Sequence, residues 1–175
     1  MHRVQFEQWV PVGIERVFLF FANPENLPRI MPPENGTELV RLNLIPPPDS
    51  RRGRPLQPAS ANQGPLAGAG SEVVTSFRVL PFLPLRARWI ALIAEFEWNH
   101  HFADTQKKGP FKSFLHRHQL RTEVRDGIEG TVVCDQIDYE VGWGWLGEWA
   151  NKLFIRRQMR RTFAYRQQGL QARLQ

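Results

Sequence analysis

Two histidines and an aspartate are the residues of this chain whose types and spacing best suit chemistry. His116 and His118 are two positions apart, so on an extended strand both side chains point to the same face. Asp135 lies on the next predicted strand, and a histidine oriented by a carboxylate can act as a general acid or base near neutral pH. These three residues are therefore the catalytic candidates.

Other roles fit the same residues. A pair of His116 and Asp135 can satisfy its own hydrogen bonds inside a core and do nothing more. The polar groups can also orient a bound ligand. Two histidines and an aspartate can bind zinc, but no further ligand is identifiable in the sequence. We therefore predict no metal site and no cofactor.

The same alternation brings aromatic and polar side chains onto one face of neighbouring strands. The predicted ligand-binding residues on strands are Trp98, Phe102, Asp104, Phe114, His116, His118, Asp135 and Tyr139. If these faces meet in the interior, aromatic walls surround a band of polar groups, which is typical of an apolar binding site. Trp149 and Leu153, on the final helix, are predicted to line the same pocket.

Hydrophobic periodicity predicts the elements that position these residues. The residues before Pro11 alternate as a strand, helical spacing then runs from Gly13 to Asn23, and a second short helix is predicted at 24–30. Further strands are predicted at 37–45, 71–79, 86–97, 100–106, 111–125 and 128–141, with a turn at 81–84. Consecutive strands with short connections indicate an antiparallel meander in an α+β fold.

Residues 145–174 contain no proline and predict one long C-terminal helix. At about 100° per residue, the side chains divide between two faces. One carries Leu146, Trp149, Ala150 and Leu153, and the other carries Ile155, Met159, Phe163 and Leu170. Such a helix either lies obliquely across a curved sheet, or its first half roofs a cavity while its second half seals the core.

Composition predicts one domain, 1–175. Over 175 residues, 42% apolar content is enough to bury a core. Residues 46–70 are dominated by Pro, Gly, Ser, Ala and Arg, and we interpret them as a flexible loop, because strands resume on both sides. Cys134 is the only cysteine, which excludes an intrachain disulfide and favours a small core residue.

The sequence also limits the partners. The first ten residues lack the apolar run of a signal peptide, and no segment has the roughly 20 apolar residues needed to span a bilayer. We expect a cytoplasmic protein without stable membrane insertion. The net charge of +6 permits nucleic-acid binding. However, the basic cluster Arg156, Arg157, Arg160 and Arg161 fits a solvated helix face and no nucleic-acid-binding pattern occurs, so no nucleic acid is predicted.

Two stretches of the chain resemble a known family. They are residues 102–120 (FADTQKKGPFKSFLHRHQL) and 135–170 (DQIDYEVGWGWLGEWANKLFIRRQMRRTFAYRQQGL). Both are similar to signatures of a bacterial ligand-binding subfamily, labelled cyclase/dehydrase-like, of the SRPBCC or START superfamily. There the pattern runs F-x-D-x-Q-x-x-G-P, then H-x-H, then D-x-V-x-Y; here Ile137 replaces the valine. The resemblance implies the helix-grip fold, a curved antiparallel sheet with two short helices after strand 1 and a long C-terminal helix closing a cavity.

The predicted function is binding of a hydrophobic or amphipathic small molecule in an internal cavity between the sheet and the C-terminal helix. The sequence lacks a G-x-S-x-G elbow, a P-loop and a G-x-G-x-x-G dinucleotide motif. The alternative is a cyclase, dehydrase or hydrolase that uses the same pocket. A hydrophobic small-molecule ligand is the only partner predicted, and the sequence does not indicate an oligomeric state.

Overall fold

The computed structural model describes residues 1–48, 64–78 and 85–174. Its strands are β1 (His2–Val10), β2 (Glu38–Asn43), β3 (Glu72–Arg78), β4 (Arg86–Glu97), β5 (His101–Lys108), β6 (Ser113–Arg125) and β7 (Ile128–Glu140). They form one antiparallel sheet in the order β1-β7-β6-β5-β4-β3-β2. The first and last strands are therefore neighbours, and β2 to β7 follow one another across the sheet as the predicted meander.

The connection between β1 and β2 contains helix α1 (Ile14–Ala22), which was predicted from its spacing. The second short helix, predicted at 24–30, is instead two 3₁₀ turns, Pro24–Asn26 and Pro28–Ile30, followed by a third, Pro33–Asn35. Each turn begins with a proline, which has no N–H to donate to an α-helical ladder. The repeated prolines therefore limit this segment to single 3₁₀ turns.

The C-terminal helix has three parts. Helix α2 (Gly144–Ala150) continues into a π-helical segment (Asn151–Ile155) and then into helix α3 (Arg156–Leu174). Gly147 packs so closely on the carbonyl of Gly142 that a Cβ atom would clash, which explains a glycine at the start of this helix. The long helix is therefore present, but with a wider turn that sequence periodicity did not predict.

The π-helical segment changes which residues of the long helix face inward. A π turn holds more residues than an α turn, so each residue rotates less around the axis. Side chains spaced by four then stay on one face instead of drifting around it. The inward positions are Gly147, Asn151, Ile155, Met159 and Phe163. The division into two inward faces was wrong for this reason, and the first predicted face points to solvent.

Two apolar clusters hold the helices against the sheet. In the larger one, Val17 and Phe18 of α1 pack with Phe102, Leu120 and, from the end of α3, Leu170. In the smaller one, Val4 of β1 and Ile137 and Tyr139 of β7 pack with Phe163. The long helix is thus attached to the sheet at two places along its length.

The loop predicted at 46–70 falls largely on residues 49–63, which lie outside the described residues, as does the predicted turn at 81–84. The described end of the loop is hydrogen-bonded to the fold: the N–H of Ala67 donates to the carbonyl of Ala22, and that of Gly70 to the carbonyl of Ile93. Throughout the described ranges, no helix has both the length and the apolar character that crossing a membrane requires.

Candidate functional site

A cavity of about 560 Å³ lies between the sheet, the segment that joins β1 to β2, and the C-terminal helix. Most of its wall is apolar. The strand side is lined by Val73, Thr75, Phe77, Trp89, Ala91, Ile93, Phe102, Asp104, Phe114, His116 and His118. The C-terminal helix contributes Phe154, Ile155, Gln158, Met159, Thr162, Phe163 and Arg166.

Five of the predicted ligand-binding residues line this cavity: Phe102, Asp104, Phe114, His116 and His118. Strand register explains why they meet. In the pairing of β5 with β6, Asp104 lies opposite His116, and Phe102 lies opposite His118. Opposite residues point to the same face of a sheet, so the alternation seen in the sequence places all of them on the cavity side.

Three other predicted residues, Asp135, Trp98 and Tyr139, do not line the cavity. Asp135 lies on β7, opposite His118 of β6, and its carboxylate contacts both histidines. Trp98 packs in the larger apolar cluster, and its Nε1 donates to the carbonyl of Pro48 at 2.7 Å. Tyr139 is fully buried, and its hydroxyl donates to Oδ1 of Asn151 at 2.7 Å, which anchors the π-helical segment to β7.

The placement predicted for Trp149 and Leu153 was wrong. Their exposed fractions are 63% and 62%, and neither residue lines the cavity. The inward positions nearby belong to Asn151 and Ile155 instead, because of the wider π turn. The cavity is roofed by the residues that were assigned to the core, Ile155, Met159 and Phe163.

The polar band on the cavity wall is centred on His116. Its Nε2 lies 3.1 Å from Oδ1 of Asp135, and its Nδ1 lies 3.5 Å from Oδ1 of Asp104. Nδ1 of His118 lies 2.6 Å from the same Asp135 oxygen, without the alignment of a hydrogen bond. The predicted contact between His116 and Asp135 is present, and it belongs to a four-residue cluster.

Solved structures resemble this fold along nearly its whole length. TTHA0849 from Thermus thermophilus superposes with a TM-score of 0.64 at 18% identity, over 99% of this chain and 97% of that one. Major latex-like protein 151 from Panax ginseng gives 0.63 at 13% identity, and a START superfamily protein from Mycobacterium smegmatis gives 0.61 at 14%; both cover 99% of this chain and 97% of theirs. The chain has a START-like, helix-grip fold. No protein-family model and no curated protein matches the sequence.

The electrostatics of the cavity follow from its buried charges. Burial by itself raises the pKa of Asp135, but His118 and His116 outweigh it and hold the pKa well below its usual range. Burial lowers the pKa of His116, yet the hydrogen bonds and charges of Asp104 and Asp135 outweigh that, so the pKa is raised. Because an ionised Asp135 can only accept, Nε2 of His116 is the donor between them.

His118 behaves oppositely to His116. Burial, with the positive charge of His116 as the next cause, lowers the pKa of His118 to about 4. The two buried histidines therefore titrate as a coupled pair, and their pKa values are moved in opposite directions.

We expect an NMR titration of the imidazole resonances to separate these two histidines. His116 should stay protonated above its ordinary pKa of about 6.5, and His118 should stay neutral down to about pH 4. A single shared midpoint for His116 and His118 would contradict the buried cluster.

Arg166 also lines the cavity and was not predicted to do so. Its guanidinium carbon lies 4.8 Å from the centroid of the Phe163 ring, and burial lowers its pKa. Together with Asp135 it also borders a second space of about 10 Å³, and the negative charge of Asp135 opposes the lowering of the Arg166 pKa. Among the described residues, nothing hydrogen-bonds to its Nε.

Trp89 and Phe111 form an aromatic wall of the cavity that was not predicted from the sequence. Ring centroids of Trp89 and Phe114 are 4.6 Å apart, edge to face, and those of Trp89 and Phe111 are 5.8 Å apart. Trp89, Ala91 and Ile93 alternate along β4 in the sequence. That alternation is the signal that could have identified this wall.

Asp104, His116 and His118 could also hold a metal ion, since one ligand atom from each lies within 4.8 Å of the others. Glu97, His100 and His101 form a second such group, mostly exposed. The prediction that the protein holds no metal remains a prediction, and elemental analysis of the purified protein tests it.

Proposed function

We propose that the protein binds a hydrophobic or amphipathic small molecule in the cavity between the sheet and the C-terminal helix. The observation that carries the proposal is the cavity itself, about 560 Å³ with a mainly apolar wall and one polar band. That volume lies within the range of about 300 to 1,000 Å³ that is usual for small-molecule sites. Asp104, His116 and Arg166 supply the few polar groups that orient a ligand.

The cavity's chemistry favours an amphipathic ligand. A wholly apolar molecule would leave the carboxylate of Asp104 and the guanidinium of Arg166 facing apolar groups, which is costly for buried polar atoms. A ligand with a polar group at that band gives these buried polar side chains a partner, and its apolar body packs against Trp89, Phe111 and Phe114. The START superfamily protein and the latex-like protein share the fold, and this agrees with a ligand binder only in general terms.

Filling the cavity tests the proposal. Ala91 lines the cavity on β4, whereas Ala94 on the same strand is exposed. We expect Ala91→Phe to weaken binding of an uncharged naphthylamine dye by about tenfold or more, a loss of about 1.4 kcal/mol. Ala94→Phe is the matched control and should bind the dye like the wild type.

Fluorescence titration of both variants gives the affinities, and thermal melts show whether each variant is folded. Equal dye affinity in the wild type and a folded Ala91→Phe variant would contradict the proposal. Independently of the dye experiment, native mass spectrometry of protein purified from its own host would identify the chemical class of any retained ligand.

A second candidate function is catalysis in the same cavity, as a cyclase, dehydrase or hydrolase. It is favoured by one observation: the two ring nitrogens of His116 face separate carboxylates at the cavity wall. If His116 or His118 transfers a proton, His116→Gln or His118→Gln abolishes turnover of the identified ligand while affinity stays nearly intact. Unchanged turnover in both variants would exclude this candidate.

The finer assignments also belong to this proposal: a cyclase/dehydrase-like subfamily, a cytoplasmic location, no nucleic-acid partner and a single domain. Fluorescence microscopy of the tagged protein in its host tests the location. A titration with a labelled oligonucleotide tests the absence of nucleic-acid binding.

A further inference from the structure

The start of the C-terminal helix carries a concentrated exposed apolar surface, which we call the aromatic tip: Trp143, Trp145, Leu146, Trp149, Leu153 and Phe154. Their exposed fractions run from 56% for Leu146 to 90% for Trp143. Of the thirteen large apolar side chains exposed in the described ranges, six fall within the twelve residues 143–154. Contiguous apolar patches of this kind mark interaction sites, whereas single exposed apolar residues do not.

The net positive charge of the chain is concentrated within and directly after the aromatic tip. Residues 143–174 contain seven basic residues and one acidic residue, a balance equal to the formal net charge of +6 for the whole protein. Lys152, Arg156, Arg157 and Arg160 are exposed, and none forms an ion pair or side-chain hydrogen bond with a described residue. We call these four the basic collar.

We infer that the aromatic tip and the basic collar together dock the protein reversibly on an anionic lipid bilayer. Tryptophan is enriched where hydrocarbon meets lipid headgroups, because its ring is apolar and its N–H needs a polar partner. Lysine and arginine next to such side chains attract anionic headgroups. The segment is too short and too polar to cross a bilayer, so the contact is interfacial.

Charge distinguishes a bilayer from other occupants of this surface. A second copy of the chain, related by a two-fold axis, would bring two basic collars together, and like charges oppose that contact. Nucleic acid would match the basic collar, but it offers no apolar medium for the aliphatic side chains of Leu146 and Leu153. An anionic bilayer accommodates both halves of the surface.

The aromatic tip also reaches the cavity. Phe154 is 62% exposed and still lines the cavity, and the adjacent Ile155 lines it as well. Docking at the tip therefore places one wall of the cavity next to the lipid surface. The docking inference stands without the proposed ligand binding, since it rests only on exposed side chains and charge.

Vesicle binding tests the inference with matched variants. Vesicles of phosphatidylcholine alone are compared with an equal mixture of phosphatidylcholine and phosphatidylglycerol, and bound protein is measured by flotation and by the shift in tryptophan emission. We expect binding to the mixed vesicles to be at least about tenfold stronger, and to weaken with salt. The double variant Trp145→Ser with Trp149→Ser should lower it by about tenfold or more.

Control variants distinguish binding through this surface from non-specific apolar adsorption and from an effect of net charge. Val124→Ser with Ile128→Ser removes two exposed apolar residues elsewhere and should bind like the wild type. Arg157→Glu with Arg160→Glu should abolish the preference for anionic vesicles, whereas Arg16→Glu with Arg88→Glu, with the same change in net charge, should keep most of it. Thermal melts confirm that all variants are folded.

Three outcomes would overturn the inference. One is absence of binding to anionic vesicles by the wild type. Another is a dimer, seen by sedimentation, that the two tryptophan replacements dissociate while vesicle binding is absent. The third is an affinity for oligonucleotides that exceeds the affinity for mixed vesicles and depends on the basic collar alone.

Discussion

Replacing Phe163 with alanine is expected to lower the free energy of unfolding by about 3 to 5 kcal/mol, because a large buried ring is lost and the space is only partly refilled. Its ring stacks on Phe6 with centroids 4.8 Å apart and meets His116 edge to face at 5.3 Å. The ring also lies under the guanidinium of Arg166. Denaturant unfolding of the variant measures the loss.

Trp149→Ala is the matched control, since it removes a larger aromatic ring from the same helix. Trp149 is mostly exposed, so its loss should change the free energy of unfolding by only about 0.5 kcal/mol. Phe163→Ala should also change dye binding, because Phe163 lines the cavity, and Trp149→Ala should not. Equal losses of stability in the two variants would show that Trp149 packs against the fold in solution.

The sheet and its polar band could be predicted from the sequence because both depend on a period of two. Once His116 and His118 share a face, the strand neighbours Phe102 and Asp104 must share it, and antiparallel register then brings Asp135 beside the histidines. The contact between His116 and Asp135 follows from alternation, strand order and this register. That is why the strand residues were placed better than the helix residues.

The helix residues could not be placed because one π-helical segment changes the angular relation between the residues before it and the residues after it. Sequence periodicity assumes an α-helix throughout, and it therefore predicted Trp149 and Leu153 to face inward. The anchoring of the π segment depends on Tyr139 and Asn151, a contact between β7 and the helix that only the folded chain reveals. Arg166 was missed as a cavity residue for a related reason, since its neighbours come from distant strands.

The second large effect is expected at Asp135. Asp135→Asn should lower the free energy of unfolding by about 3 to 5 kcal/mol wherever His116 is protonated, because it removes one of the two carboxylates that pair with His116, and the only one that contacts His118, from a buried site. The loss should depend on pH. The raised pKa of His116 means that its contribution is fully present below the unfolded pKa of about 6.5 and disappears as pH rises through the folded pKa. The penalty of the variant should therefore shrink toward alkaline pH.

Asp138, three residues further along β7, provides the control. Its carboxylate accepts two hydrogen bonds from Arg3, at 2.6 and 3.0 Å, but the Arg3 side chain is 61% exposed. Because water can replace that partner, Asp138→Asn should lower the free energy of unfolding by about 1 kcal/mol or less, with no dependence on histidine protonation. Denaturant unfolding from pH 5 to 9 compares both variants.

A double replacement completes this test of the buried cluster. Asp135→Leu with His116→Leu removes both buried charges and should recover part of the loss seen with Asp135→Leu alone, since no unpaired charge is then left by this pair. Additive losses would mean that the two side chains do not interact in solution. Equal penalties for Asp135→Asn and Asp138→Asn, flat with pH, would contradict a buried ion pair and leave the polar band without a protonated histidine to orient a ligand.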